Sequence, residues 1–344
     1  MMDNRTFFNK LLTSASVSGF EQSAAELTEQ QFKQITANVT RDTFNNVFMN
    51  LGEKGPVVFC AAHIDEIGLM VTKIHDDGFV SFTRVGGVDR RILPAQEVWV
   101  HGTECLYGIV GAKPPHVLSA EERKKSIGMD DLYIDLGLDA ETVRRKVRIG
   151  DTVTFHAPPV SLLSSRMASK SLDDRMGVMV MLEAVKHLEL DSIKCRPVFC
   201  ATSQEEIGSL GAQVGSYRVM PDIAVAIDVT HGKFKDSPKH GTFELKSIPV
   251  GVGPMCDRRL LELLKKAASS ADVELSYDVS GSYTGTDADN LQIVGPGIPC
   301  AVLGVPVKYM HTTVETIDYK TVKRAGRLLA EFLMMIDENW RIAG

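Results

Sequence analysis

Five short segments of this chain end an apolar run, or open a helix, on a side chain that can bind a cation or move a proton. Val57–Ala62 runs into His63-Ile64-Asp65-Glu66, and Arg196–Thr202 runs into Ser203-Gln204-Glu205-Glu206. Ile223–Ile227 runs into Asp228, and Cys300–Leu303 leads through a short loop to His311. Asp173-Asp174-Arg175 precedes a helix-period run through Met176, Val178, Leu182 and Val185. In open α/β sheets, functional groups collect beyond the carboxyl ends of the strands. Segments far apart in sequence can therefore converge on one point.

Each segment also has a plainer reading. His63 and Asp65 are two residues apart and share a face if extended. A carboxylate there can accept the second ring N–H and fix the tautomer of a metal-bound imidazole, or it can serve packing alone. Asp173 suits a helix N-cap, or a short carboxylate bridging two cations. Glu205-Glu206 suits a first helical turn. Alternatively, one glutamate coordinates while its neighbour acts as a base. Asp228 suits a turn, and His311 a solvated loop. His231 reads as structural. Taken together, two histidines, two aspartates and a glutamate form an oxygen- and nitrogen-rich set that suits Zn²⁺ or a related divalent ion. A carboxylate-bridged pair of such ions can deprotonate a water and polarise a carbonyl, and amide hydrolysis needs both effects.

The elements that must position these groups follow from hydrophobic period. Residues 4–13 and 21–34 carry helical spacing, interrupted by a turn at Ser18-Gly19. Between 69 and 160 the character changes to short alternating runs broken by Gly, Pro and Asp: Leu69–Ile74, Val80–Arg84, Glu97–His101, Tyr107–Gly111 and Thr152–His156. That is the spacing of a small all-β module. From 165 onward strands and helices alternate again, with helices expected over 175–190, from about 206, over 258–271 and over 319–340. The expected architecture is an α/β sheet with helices on both faces. The expected organisation is a discontinuous α/β domain, 1–68 with 161–344, interrupted by an inserted β domain at 69–160.

The 344 residues correspond to roughly two domains at about 150 each. The net charge of −6 favours neither nucleic acid nor an anionic membrane surface. The six cysteines are scattered, with no C-x-x-C pair, as expected of reduced thiols in a cytoplasmic protein. No secretory signal is visible at the N-terminus, and the apolar runs are too short to cross a bilayer.

The motifs A-A-H-I-D-E-I-G, S-L-D-D-R-M-G, T-S-Q-E-E-I-G-S-L-G-A, A-I-D-V-T-H and Y-M-H-T-T-V-E occur in this order. Together they resemble the tetrahedral (TET-type) aminopeptidases, a family of di-metal peptidases that includes glutamyl and deblocking enzymes. The resemblance extends to S-V-S-G-F-E near the start, G-I-V-G-A-K-P-P-H in the β module and T-G-T-D-A late in the chain.

The resemblance implies removal of N-terminal residues from short peptides through a water or hydroxide bridging two divalent ions per subunit, Zn²⁺ or Co²⁺. It implies that His63, Asp173 and Asp228 hold one ion, that Asp173, Glu206 and His311 hold the other, that Glu205 is the general base and that Asp65 orients His63. It also implies a mixed-sheet α/β catalytic domain with a PDZ-like β-barrel dimerisation domain, and dimers assembling into a tetrahedral dodecamer. Two departures flank the last histidine: Lys308-Tyr309 in place of Arg-Tyr, and Thr312-Thr313 in place of Ser-Pro. They bear on specificity: Lys308 lining the pocket would favour acidic substrates, whereas a surface lysine, the more common outcome, would not. Rival readings are a di-metal deacylase or carboxypeptidase, a glycoside hydrolase using paired carboxylates, and a non-catalytic protein keeping the fold.

Overall fold

The structure, a computed structural model, describes residues 3–340. Helices α1 (Asn4–Thr13) and α2 (Gln22–Phe32) precede strands β1 (Val39–Arg41), β2 (Val47–Asn50) and β3 (Val57–His63). There follow β4 (Gly68–Ile74), β5 (Val80–Val85), β6 (Glu97–His101), β7 (Cys105–Ala112), β8 (Leu132–Asp135), α3 (Ala140–Lys146) and β9 (Thr152–Phe155). Next come β10 (Val160–Ser161), β11 (Arg166–Ser169), α4 (Leu172–Val185), β12 (Arg196–Thr202), α5 (Leu210–Val219) and β13 (Ile223–His231). The chain closes with β14 (Ile248–Val252), α6 (Arg258–Ser270), β15 (Leu275–Val279), α7 (Ala288–Leu291), β16 (Cys300–Val307), β17 (Glu315–Asp318) and α8 (Tyr319–Met334).

The main sheet has eight strands in the order β1-β2-β12-β3-β13-β16-β14-β15. Its central strands β12, β3, β13 and β16 are parallel, whereas β2 and β14 join antiparallel, so the sheet is mixed. Every residue of β3 is buried, as expected of a parallel strand covered on both faces. Val58, Cys60 and Ala62 face a core shared with α1, α2, α4, α6 and α8. Phe59 and Ala61 alternate to the opposite core, shared with α5 and α7. The amphipathic α8 buries Val322, Leu328, Leu329, Phe332 and Leu333 against the first of these cores. No described helix is long and apolar enough to cross a membrane.

Strands β4-β5-β8-β7-β6-β9 close into an antiparallel barrel. Leu69, Val71, Val80, Val98, Val100 and Val153 alternate inward to fill it. The pattern of alternating runs did not reveal β8. It is four residues long and follows a polar stretch, yet it links β5 to β7. A separate three-stranded sheet, β10-β11-β17, ties the approach to α4 to the segment after His311.

Several expected boundaries move: the helix expected over 175–190 spans Leu172–Val185, and the strand expected over Cys300–Leu303 runs to Val307. The helix expected from about 206 starts at Leu210, leaving Glu205 and Glu206 in a strand-to-helix loop. β13 continues to His231, so Asp228 lies within a strand rather than after it. The last helix ends at Met334 and not at 340.

Candidate active site

The sequence-derived residues meet at the carboxyl ends of the central parallel strands. His63 is the last residue of β3 and is paired across the sheet with Thr202 at the end of β12. Its Nε2 lies 3.1 Å from Asp173 Oδ1, and its Nδ1 lies 3.4 Å from Asp65 Oδ1. The second oxygen of Asp173 lies 3.3 Å from His311 Nε2, and Glu206 Oε1 lies 3.3 Å from the same nitrogen. One carboxylate therefore faces two imidazoles, one oxygen to each. Glu205 Oε2 stands 3.9 Å from His63 Nε2. Asp228 is buried on β13, its Oδ1 accepting the Val229 N–H at 2.7 Å. It lines one cleft of about 740 Å³ with Asp173, Glu205, Glu206 and His311. His231 reaches the same cleft from the end of β13.

The local backbone explains how these groups converge. Asp173 and Asp174 have non-helical torsions at the start of α4, and the peptide between them is cis. Gln204, Tyr309 and His311 adopt left-handed conformations, with φ of 54°, 58° and 60°. Such torsions are costly for non-glycine residues and persist where the surroundings hold them. Here buried carboxylates do so around Gln204 and at His311. Asp65 accepts the Ser18 hydroxyl at 2.7 Å and the N–H groups of Glu205 and Glu206 at 3.0 and 3.2 Å. Glu315 accepts the N–H groups of Asp173 and His311 at 3.1 and 2.9 Å. Glu21 accepts the N–H groups of Gly19 and Gln204, at 2.5 and 3.2 Å.

Burial pushes the Glu21 carboxyl up to about 7, with the Asp65 charge adding to it. Asp287, held by the Thr202 hydroxyl at 2.6 Å, is raised by burial to about 6. Below the site, buried Glu66 pairs with Lys170 and Arg175. Burial opposes its charge, but the two cations hold it down to about 2. Glu21, Asp287 and Glu315 received no role from residue-level reasoning. The signal was that each lies inside a motif, at the end of S-V-S-G-F-E, within T-G-T-D-A and at the end of Y-M-H-T-T-V-E.

The electrostatics ask for positive charge at the centre. Burial opposes a charged His63 ring, yet Asp173 and Asp65 raise its pKa well above the ordinary value. His311 is likewise disfavoured by burial but pushed up to about 11 by Asp173 and Glu206. Glu205 and Asp228 are raised by burial. Both oxygens of Asp174 are buried without a hydrogen-bond partner among the described residues. His63, Asp173 and Glu206 each offer a ligand atom within 4.8 Å of the others. This mixed nitrogen and oxygen set fits divalent first-row ions.

Comparison with known proteins shows the family. The family model of the M42 glutamyl aminopeptidases matches residues 45–328. A lysyl aminopeptidase of Pyrococcus furiosus is 34% identical over 337 residues, covering 95% of this chain and 96% of the relative. A TET aminopeptidase from a marine sediment archaeon of the Thaumarchaeota superposes with a TM-score of 0.91 at 27% identity, covering 97% of this chain and 96% of its own. The Pyrococcus horikoshii TET1 peptidase, which can assemble into a tetrahedron or a large octahedral shell, gives 0.84 at 29% identity, covering 96% and 99%.

Proposed function

The chain belongs to the M42 glutamyl aminopeptidase family of peptide-bond hydrolases, and from that premise we propose that it removes N-terminal residues from short peptides in the cleft around Asp173. The observation that carries this reading is the Asp173 carboxylate, with one oxygen toward His63 and the other toward His311. In this reading two divalent ions are held per subunit, Zn²⁺ or Co²⁺. His63, Asp173 and Asp228 would hold one, and Asp173, Glu206 and His311 the other. When bound, the ions would polarise the scissile carbonyl and lower the pKa of the attacking water.

The chain's own groups do the rest. Glu205 Oε2 accepts a proton from the attacking water and returns one to the leaving amine nitrogen as the peptide C–N bond breaks. Asp65 faces His63 Nδ1 and grips the N–H groups of Glu205 and Glu206, so one carboxylate aligns the ring and the base. The free α-amine of the substrate is held by an acidic group of the cleft, Glu205 or Asp228.

The first residue preferred is not carried over from relatives, because the family description is glutamyl and the Pyrococcus furiosus relative is lysyl. The domain division, with 69–160 inserted between 1–68 and 161–344, goes with a barrel used for dimerisation. Exposed Tyr107 and Ile109 on β7 support such a contact. Dimers would then assemble into a tetrahedral dodecamer, as the likeness to assembling TET peptidases supports. Six free cysteines support a cytoplasmic location.

The test compares a free tripeptide with its N-acetylated form. Cleavage of the free peptide alone is expected. Equal peptide-bond cleavage of both would replace this reading with a carboxypeptidase, and release of acetate from the acetylated form alone would replace it with a deacylase.

A further inference from the structure

We infer that the cleft selects peptides whose first residue carries a cationic side chain, lysine or arginine, and that Asp278 is the carboxylate that receives it. This rests on the aminopeptidase reading above and adds the substrate class.

Among the described residues, no lysine or arginine lines the cleft, whereas six carboxylates do. Four of these, Asp173, Glu205, Glu206 and Asp228, are already assigned to the hydrolytic centre. A fifth, Asp289, spends its oxygens on its own loop. Its Oδ1 accepts the Thr284 N–H and hydroxyl, and its Oδ2 accepts the Gly285 N–H, each at 2.8 Å. Asp278 remains. It sits on β15, where its Oδ2 accepts the Thr230 hydroxyl at 2.6 Å, and no cation pairs with it among the described residues.

Thr230 follows Asp228 by two positions on β13, so the two side chains share a face about 7 Å apart along the strand. The hydroxyl therefore fixes an unneutralised carboxylate about one long side chain away from the reacting centre. The wall of the same cleft also includes apolar Val302 and Met255. Such a wall suits the methylene stem of a lysine whose charged head lies beyond it. The negative potential is felt locally: burial raises the Cys256 thiol, and Asp289 and Asp278 add to bring it to about 11. Lys308, the one cation that would have favoured acidic substrates, is not among the residues lining the cleft. An acidic first residue would meet Asp278 with no counter-charge, and like-charge juxtaposition is a strong rejecting device.

The experiment measures kcat/KM of the cobalt-supplemented protein on lysyl, arginyl, leucyl and glutamyl p-nitroanilides. Wild type is expected to take lysyl and arginyl over leucyl by on the order of tenfold, with glutamyl last. In Asp278→Asn the lysyl-to-leucyl ratio should fall by about that factor, and in Asp278→Lys the glutamyl-to-lysyl ratio should rise. Leucyl or glutamyl preference in the wild type, or ratios unmoved by both substitutions, overturns the role of Asp278 and leaves the aminopeptidase reading standing. No cleavage of any of the four overturns the aminopeptidase reading, and this inference with it.

Discussion

Glu315 holds His311 by its backbone: Oε1 accepts the His311 N–H at 2.9 Å, while Oε2 accepts the Asp173 N–H at 3.1 Å. One buried side chain thus fixes two proposed ligands that lie far apart in the chain. It does so in the loop where His311 has a left-handed φ of 60°. Because both bonds go to the main chain, the side chains of His311 and Asp173 are left free to face each other.

A glutamine at 315 offers one carbonyl acceptor and an amide that is itself a donor. Glu315→Gln should therefore leave one buried N–H unpaired, at a cost of about 1–3 kcal/mol. The expected result is a lower Tm and about tenfold weaker Co²⁺ or Zn²⁺ binding by calorimetry, consistent with the usual effect of losing a group that orients a ligand. Unchanged metal affinity in a folded variant would remove the positioning role.

Glu205→Gln keeps the shape of the side chain and removes its basicity. Turnover should fall by about a hundred- to ten-thousand-fold, with metal affinity within a few-fold of wild type. Near-normal kcat would show that another group moves the proton.

Acid sensitivity should trace to Glu66. Its carboxyl is opposed by burial but held to about 2 in the fold by Lys170 and Arg175, against 4.5 ordinarily. The unfolded chain therefore binds the proton first as pH falls. The stabilisation is fully present above about pH 4.5 and is lost as pH drops toward 2. It amounts to about 3 kcal/mol. Glu66→Gln should be destabilised at pH 7, because it leaves two buried cations unpaired, and should show a flatter urea midpoint between pH 5 and 3. A variant with the wild-type acid profile would assign the effect elsewhere.

The legible and illegible parts of this molecule differ for physical reasons. β3, β12, β13 and β16 carry dense apolar runs because both faces are covered, and the groups at or near their ends stand out against that background. His63, Glu205, Glu206 and Asp228 were visible for this reason. Glu21, Asp287 and Glu315 were not visible at residue level. Their partners are backbone N–H groups or a hydroxyl, mostly from segments distant in the chain, and such partners leave no periodicity. β14 and β15 escaped notice as well: Gly251 interrupts the first, and the second is only partly buried. Asp278, on that edge strand, was passed over with it. The Glu205-Glu206 pair resembled a first helical turn, but Gly208 adopts φ of 123° and delays the helix to Leu210.

The central claim is a shared carboxylate between two cations, and titration of chelator-stripped protein with Co²⁺ tests it most directly. Binding is followed by calorimetry and hydrolysis on the same samples. The account predicts two ions per subunit, hydrolysis that appears only as they bind, and loss of both sites' normal affinity in Asp173→Asn. Full hydrolysis by the stripped protein, or two wild-type-affinity ions in Asp173→Asn, would contradict it.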